Sequence, residues 1–119
     1  MQKIKTKEIP MNTTHYELPS GTLLHNRYRI ESVIGQGGFG ITYKAIDESL
    51  KRPVCIKELF LSGHCTRGSA NTVQSQGLKE LDFTHFCERF VEEAGALARF
   101  RHPGIVQVQD VFRENGTAY

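Results

Sequence analysis

An excess of one charge is what this sequence most lacks: 15 Lys and Arg stand against 13 Asp and Glu, a net charge of +2 over 119 residues. So small a surplus gives no ground for nucleic acid or an anionic membrane surface as the main partner. Cysteine is scarce and odd in number, and Cys55, Cys65 and Cys87 make no disulfide framework, which points to a reducing compartment. No apolar run approaches the roughly 18 residues that a membrane span requires. The opening residues 1–10 lack the apolar stretch of a secretory signal. With 39% apolar residues and this length, the expectation is one small, soluble, cytoplasmic domain with a single core.

What is present begins with a polar leader. Residues 1–22 hold few apolar groups and two prolines, Pro10 and Pro19, and read as a flexible leader or a strap on the surface. Alternation from Tyr28 and Ile30 to Val33-Ile34 predicts a strand. Ile41 to Ile46, rich in β-branched and aromatic residues, predicts a second, and Val54-Cys55-Ile56 a third entered at Pro53. Residues 62–80 carry almost no apolar content and read as a long, mobile loop. A helix is expected from about Phe83 to Phe100, with Asp82 as its N-cap and Pro103 as its stop. Ile105 to Phe112 predicts a fourth strand, Asn115-Gly116 a two-residue hairpin turn, and Thr117 to Tyr119 the start of a fifth strand.

Three features carry chemistry. The first is Gly35-Gln36-Gly37-Gly38-Phe39-Gly40, in which glycines at 35, 37 and 40 would let backbone N–H groups approach phosphate oxygens unobstructed. A strand follows the loop, whereas a dinucleotide-binding glycine loop is followed by a helix. A glycine-rich hairpin without a ligand is the plain alternative. The second feature is Lys57, closing the apolar strand. The third is Glu93: with Phe86 at the origin, Leu97, Phe90, Phe83 and Ala94 fall within about 80° on one side, and Glu93 about 20° on the other. Glu92 falls on the solvent side. A carboxylate on an apolar face needs a partner, and Lys57 is the candidate; the competing arrangement pairs Glu93 with Arg89 one turn earlier.

Taken together, the Gly35–Gly40 loop, Val54-Cys55-Ile56-Lys57, the Glu93 helix, His102-Pro103-Gly104-Ile105-Val106 and the 112–119 hairpin resemble the N-terminal lobe of a bacterial eukaryotic-like (Hanks-type) serine/threonine protein kinase. The resemblance runs over residues 23–119, with 62–80 as an insertion. It implies an α+β fold: a twisted antiparallel sheet of about five strands with one main helix. It implies ATP with Mg²⁺ as cofactors, with Ile34, Gly35, Gln36, Gly37, Gly38, Phe39, Gly40, Thr42, Cys55 and Lys57 around the nucleotide. Lys57 and Glu93 would be the catalytic pair. Thr42 stands where the family usually has valine, and Cys55 where it has alanine, both lining the adenine slot. No H-R-D or D-F-G motif occurs, so the Mg²⁺ ligands, the hinge and the protein-substrate lobe are expected outside this sequence, and the chain by itself is expected to be inactive. An apolar face left open by that lobe implies self-association. Two other possibilities stand beside this one: a pseudokinase, or a zinc-bound interaction module built on His64-Cys65 and His85-x-Cys87.

Overall fold

The computed structural model of the chain describes residues 16–76 and 80–119. Its centre is a four-stranded antiparallel sheet in the order β1 (Leu23–Leu24), β2 (Tyr28–Gln36), β3 (Gly40–Asp47) and β4 (Arg52–Leu59). The long strands form where alternation predicts them. β4 extends beyond the expected Val54–Ile56 at both ends and lies at the sheet edge, where Pro53 breaks no ladder on its free side. Two register shifts in β2, between Ile30 and Ser32 and between Val33 and Gly35, bend the strand ahead of the glycine hairpin. They also switch phase: Tyr28 and Ile30 face the core, Val33 packs against it, and Ile34 faces outward.

The core gathers Ile30, Ile41, Tyr43, Ala45 and Ile56 from one face of this sheet with Leu59, Phe60 and Leu61 from the chain leaving β4. Part of the expected leader packs here too. Leu18 is buried, its backbone N–H donates to the Tyr43 hydroxyl at 3.0 Å, and the Tyr16 ring lies 5.4 Å from that of Phe60. The remainder of that leader, residues 1–15, lies outside the described residues.

The stretch expected as a mobile loop folds instead. β5 (Cys65–Arg67) pairs with β6 (Val73–Ser75), a turn of 3-10 helix (Ser69–Asn71) joins them, and Cys65 and Val73 enter the core. Residues 77–79 of that stretch lie outside the described residues. The helix α1 (Glu80–Ala98) starts earlier than expected, so Asp82 sits within its first turn and is not the cap. Glu80 and Leu81 are good helix formers ahead of it. Bonds from the Arg99 and Phe100 amides to the Ala96 and Leu97 carbonyls tighten its end.

The strand expected over Ile105–Phe112 does not form. Side chains hold much of that segment, the Tyr28 hydroxyl donating to Asp110 at 2.7 Å and Arg52 to Gln109 at 2.6 Å, and at its end Phe112 exchanges both backbone bonds with Tyr119. A short hairpin closes the chain, β7 (Arg113–Glu114) with β8 (Thr117–Ala118), turning on Asn115 and Gly116, both at positive φ as an Asn-Gly turn requires. α1 packs beside β8 through Phe83 and Cys87. Among the described residues no helix is long and apolar enough to cross a membrane.

Candidate nucleotide site

The glycine hairpin joins β2 to β3. Its tip is closed by the Gly37 amide donating to the Gly40 carbonyl at 2.9 Å. Two further bonds tie it to the chain after β4, from the Phe60 amide to the Phe39 carbonyl and from the Ser62 amide to the Gly38 carbonyl. Phe39 stands out at the tip, 67% exposed. None of the hairpin glycines adopts positive φ, so their value here is room rather than backbone freedom. Gly35, Gly37 and Gly38 have nothing within 4 Å of where a Cβ would project, leaving backbone open to a ligand. Gly40 is the opposite case: a Cβ there would stand 2.8 Å from the Glu58 carbonyl oxygen and 3.3 Å from Lys57 Cε.

Behind the hairpin, the outer face of β3 and β4 forms one wall of a cavity of about 600 Å³. Thr42, Cys55 and Lys57 share this face, with Lys57 directly opposite Thr42 in the ladder. Glu93, Ala94 and Leu97 of α1 bound the other side, and Val106–Asp110 the end. Of the residues that the sequence pointed to, Thr42, Cys55, Lys57 and Glu93 therefore meet at one cavity. Ile34–Gly40 do not line it. Gln36 and Gly37 line a smaller cavity of about 250 Å³ with Tyr16, Ile41, Phe60, Ser62 and Gly63.

Lys57 and Glu93 are not in contact. The Glu93 side chain is 71% exposed and pairs with Arg89 one turn earlier at 3.8 Å, while the Lys57 ammonium has no ion-pair partner among the described residues. The expected burial of Glu93 is thus corrected. Among the described side chains of the helix, Phe83 and Cys87 are buried, and Phe86 and Leu97 are exposed. The buried side of α1 therefore lies toward Phe83 and Cys87 rather than Phe86 and Leu97, and the Glu93 carboxylate points to solvent. In water, a neighbour one turn away is partner enough.

Sequence reasoning passed over the most heavily bonded group near the site. Glu58, next to Lys57, is fully buried. Its Oε1 accepts from the Tyr43 hydroxyl at 2.7 Å and from Arg67 Nη2 at 2.7 Å; its Oε2 accepts from Arg67 Nη1 at 3.0 Å and from the Tyr119 hydroxyl at 2.6 Å. Burial pushes the Tyr43 and Tyr119 hydroxyls up, and the adjacent carboxylate adds to it. Burial works against the Arg67 charge, yet the bonds to Glu58 leave that guanidinium raised overall. A signal was available: Val54, Ile56 and Glu58 alternate on one face, so strand phase alone turns this carboxylate inward and demands a basic partner.

Cys65 and Cys87 are both buried, and burial pushes both thiols up. Among the described residues no three His, Cys, Asp or Glu side chains converge on a point that could hold a metal.

A curled antiparallel sheet carrying a glycine hairpin, with a lysine on its third long strand and one helix at its side, defines the class as the N-terminal lobe of a protein kinase. No family model matches the chain. Individual proteins do. A protein of Clostridium acetobutylicum named as a probable serine/threonine-protein kinase is 34% identical over 102 residues, 83% of this chain and 12% of that protein. The DNA damage-responsive serine/threonine-protein kinase RqkA of Deinococcus radiodurans is 35% identical over 97 residues, 82% of this chain and 12% of that protein. PknA of Mycobacterium tuberculosis is 33% identical over 90 residues, 76% and 17%. The solved structure of PpkA-294 in its apo form superposes with a TM-score of 0.79 at 38% identity, covering 87% of this chain and 37% of that one. The chain belongs to the bacterial Hanks-type serine/threonine protein kinases and corresponds to their N-terminal lobe. It spans only 10–17% of the length of these curated relatives.

Proposed function

We propose that this chain is the ATP-binding half of a protein kinase that transfers the γ-phosphoryl group of ATP to serine and threonine hydroxyls of protein substrates, the substrates being held by a lobe outside these 119 residues. The observation that carries it is the meeting of Thr42, Cys55, Lys57 and Glu93 at one cavity of about 600 Å³. The residues fit the nucleotide. Thr42 and Cys55 are small enough to leave a slot for adenine, and the space open beside Gly35, Gly37 and Gly38 lets phosphate oxygens approach the hairpin backbone. Lys57 would donate to the α- and β-phosphate oxygens, where Mg²⁺ accompanies the nucleotide. ATP supplies the reactive phosphoryl group; this chain's residues bind, orient and neutralise.

Two movements would complete the site. The glycine hairpin would swing toward the outer face of β3 and β4, and α1 would turn inward so that Glu93 exchanges Arg89 for Lys57. The exposed pair being left is worth only about 0.3–0.5 kcal/mol, so little opposes the exchange. Exposed Phe86, Leu97, Phe100 and Val106 support self-association of the isolated chain. Three unpaired cysteines support a cytoplasmic location.

Phosphotransfer by the complete protein tests the assignment. Glu93→Ala should abolish most activity and Glu92→Ala little; equal losses would overturn the pairing, and an inactive wild type that still binds ATP would make the protein a pseudokinase.

A further inference from the structure

Residues 62–76 bring one guanidinium to the rear of the strand that bears Lys57. Successive residues of a strand face opposite sides, so Lys57 points to the cavity and Glu58 into the core. A carboxylate offers about four acceptor positions. All four are filled at Glu58, by β3 through Tyr43, by β5 through both terminal nitrogens of Arg67, and by Tyr119 after β8. Arg67 is fixed in turn, its Nε donating to the Tyr16 carbonyl at 2.7 Å and its Nη1 to the Asn71 carbonyl at 3.0 Å. Both side chains are buried, Arg67 at 7% exposure and Glu58 at 0%.

The backbone of this same residue touches the phosphate side. The Glu58 carbonyl oxygen is the atom that a Cβ on Gly40 would strike at 2.8 Å, and the Lys57 stem passes beside that glycine. One peptide thus joins three things: the clamped carboxylate behind, the last glycine of the hairpin above, and the lysine in front. We infer that Glu58 and Arg67 are positioning residues for phosphate binding, and that the β5–β6 hairpin sets the place of Lys57 and Gly40 from the far side of the sheet. An ion pair kept for stability alone would be replaceable, since apolar or neutral groups of similar volume generally serve a buried site as well. This one anchors the peptide from which the site is built.

The inference rests on the nucleotide reading above, and its test separates the two. The affinities of the wild-type chain, Glu58→Gln and the double variant Glu58→Gln/Arg67→Met for Mg·ATP and for adenosine are measured by ligand-observed NMR, at a temperature where circular dichroism shows each folded. Adenosine shares the base and lacks the phosphates. ATP affinity should fall on the order of tenfold in both variants, the scale of effect when a contacting group is misplaced by a fraction of an ångström to an ångström. Adenosine affinity should stay at the wild-type level. Should Glu58→Gln fail to fold, the double variant, which leaves no charge unpaired, decides. Variants that keep the wild-type preference for ATP over adenosine, or that lose both ligands equally, would overturn the positioning role alone. A wild-type chain with no preference for ATP would overturn the nucleotide reading and this role with it.

Discussion

Gly40 leans on the residue that follows Lys57: a Cβ at this glycine would lie 2.8 Å from the Glu58 carbonyl oxygen, closer than real side chains stand to backbone. The hairpin and the lysine strand are therefore in contact with no room to spare. Gly40→Ala should destabilise the chain by about 1–3 kcal/mol through overpacking, read as a lowered thermal midpoint. Gly38→Ala, with nothing within 4 Å, should leave the midpoint nearly unchanged. Equal midpoints for the two variants would show that the contact yields.

Removing one partner of the buried pair should cost far more than removing an exposed one. Arg67→Met leaves the Glu58 carboxylate buried without its cation, a loss of about 3–5 kcal/mol by denaturant unfolding. Glu93→Ala breaks only the exposed pair with Arg89 and should cost about 0.5 kcal/mol or less.

Acid should weaken the fold through Asp47. Arg27 donates to both its oxygens at 2.9 Å, and the Ser49 and Leu50 amides add to this, holding the carboxyl down to about 2 from the usual 3.8. A depressed folded-state value means that the contribution is complete above about pH 4 and disappears as pH falls through about 2. Thermal midpoints between pH 5 and pH 2 should drop more steeply for wild type than for Asp47→Asn.

The three cysteines should separate by accessibility. Cys55 is exposed on the cavity face, while Cys65 and Cys87 are buried. A thiol reagent should modify Cys55 in the folded chain and the other two only on unfolding. Mg·ATP should slow the reaction at Cys55; labelling indifferent to ATP would place that thiol outside the nucleotide slot.

The long strands were legible because Tyr28, Ile30 and Ile41–Ile46 alternate, and the last turn because Asn115-Gly116 admits one local geometry. Residues 65–75 were not, since only Cys65, Ala70 and Val73 are apolar there. Their order comes from distant contacts, Arg67 with Glu58 and the Val73 amide with the Asn115 carbonyl at 2.7 Å. The rotation of α1 was illegible for a related reason. Its apolar residues span a wide arc, and the face that is buried depends on what packs beside it, here β8. Ile105–Phe112 shows the converse: a good strand pattern finds a backbone partner only at Phe112, through Tyr119, and Val106 stays 84% exposed. Of the site, strand phase put Cys55 on the face of Lys57, whereas Thr42 was legible only through the family resemblance. The same phase carried one residue further would have turned Glu58 inward.

The most direct measurement of the nucleotide assignment is an amide NMR titration of the ¹⁵N-labelled chain with Mg·ATP, repeated on Lys57→Met. Shifts should concentrate at Gly35–Gly40, Thr42, Cys55 and Lys57, and the substitution should weaken binding on the order of tenfold or more, as loss of a charge-assisted contact to phosphate does. Shifts scattered elsewhere, or an affinity indifferent to Lys57, would contradict the claim that this lobe holds ATP by its glycine hairpin and its strand lysine.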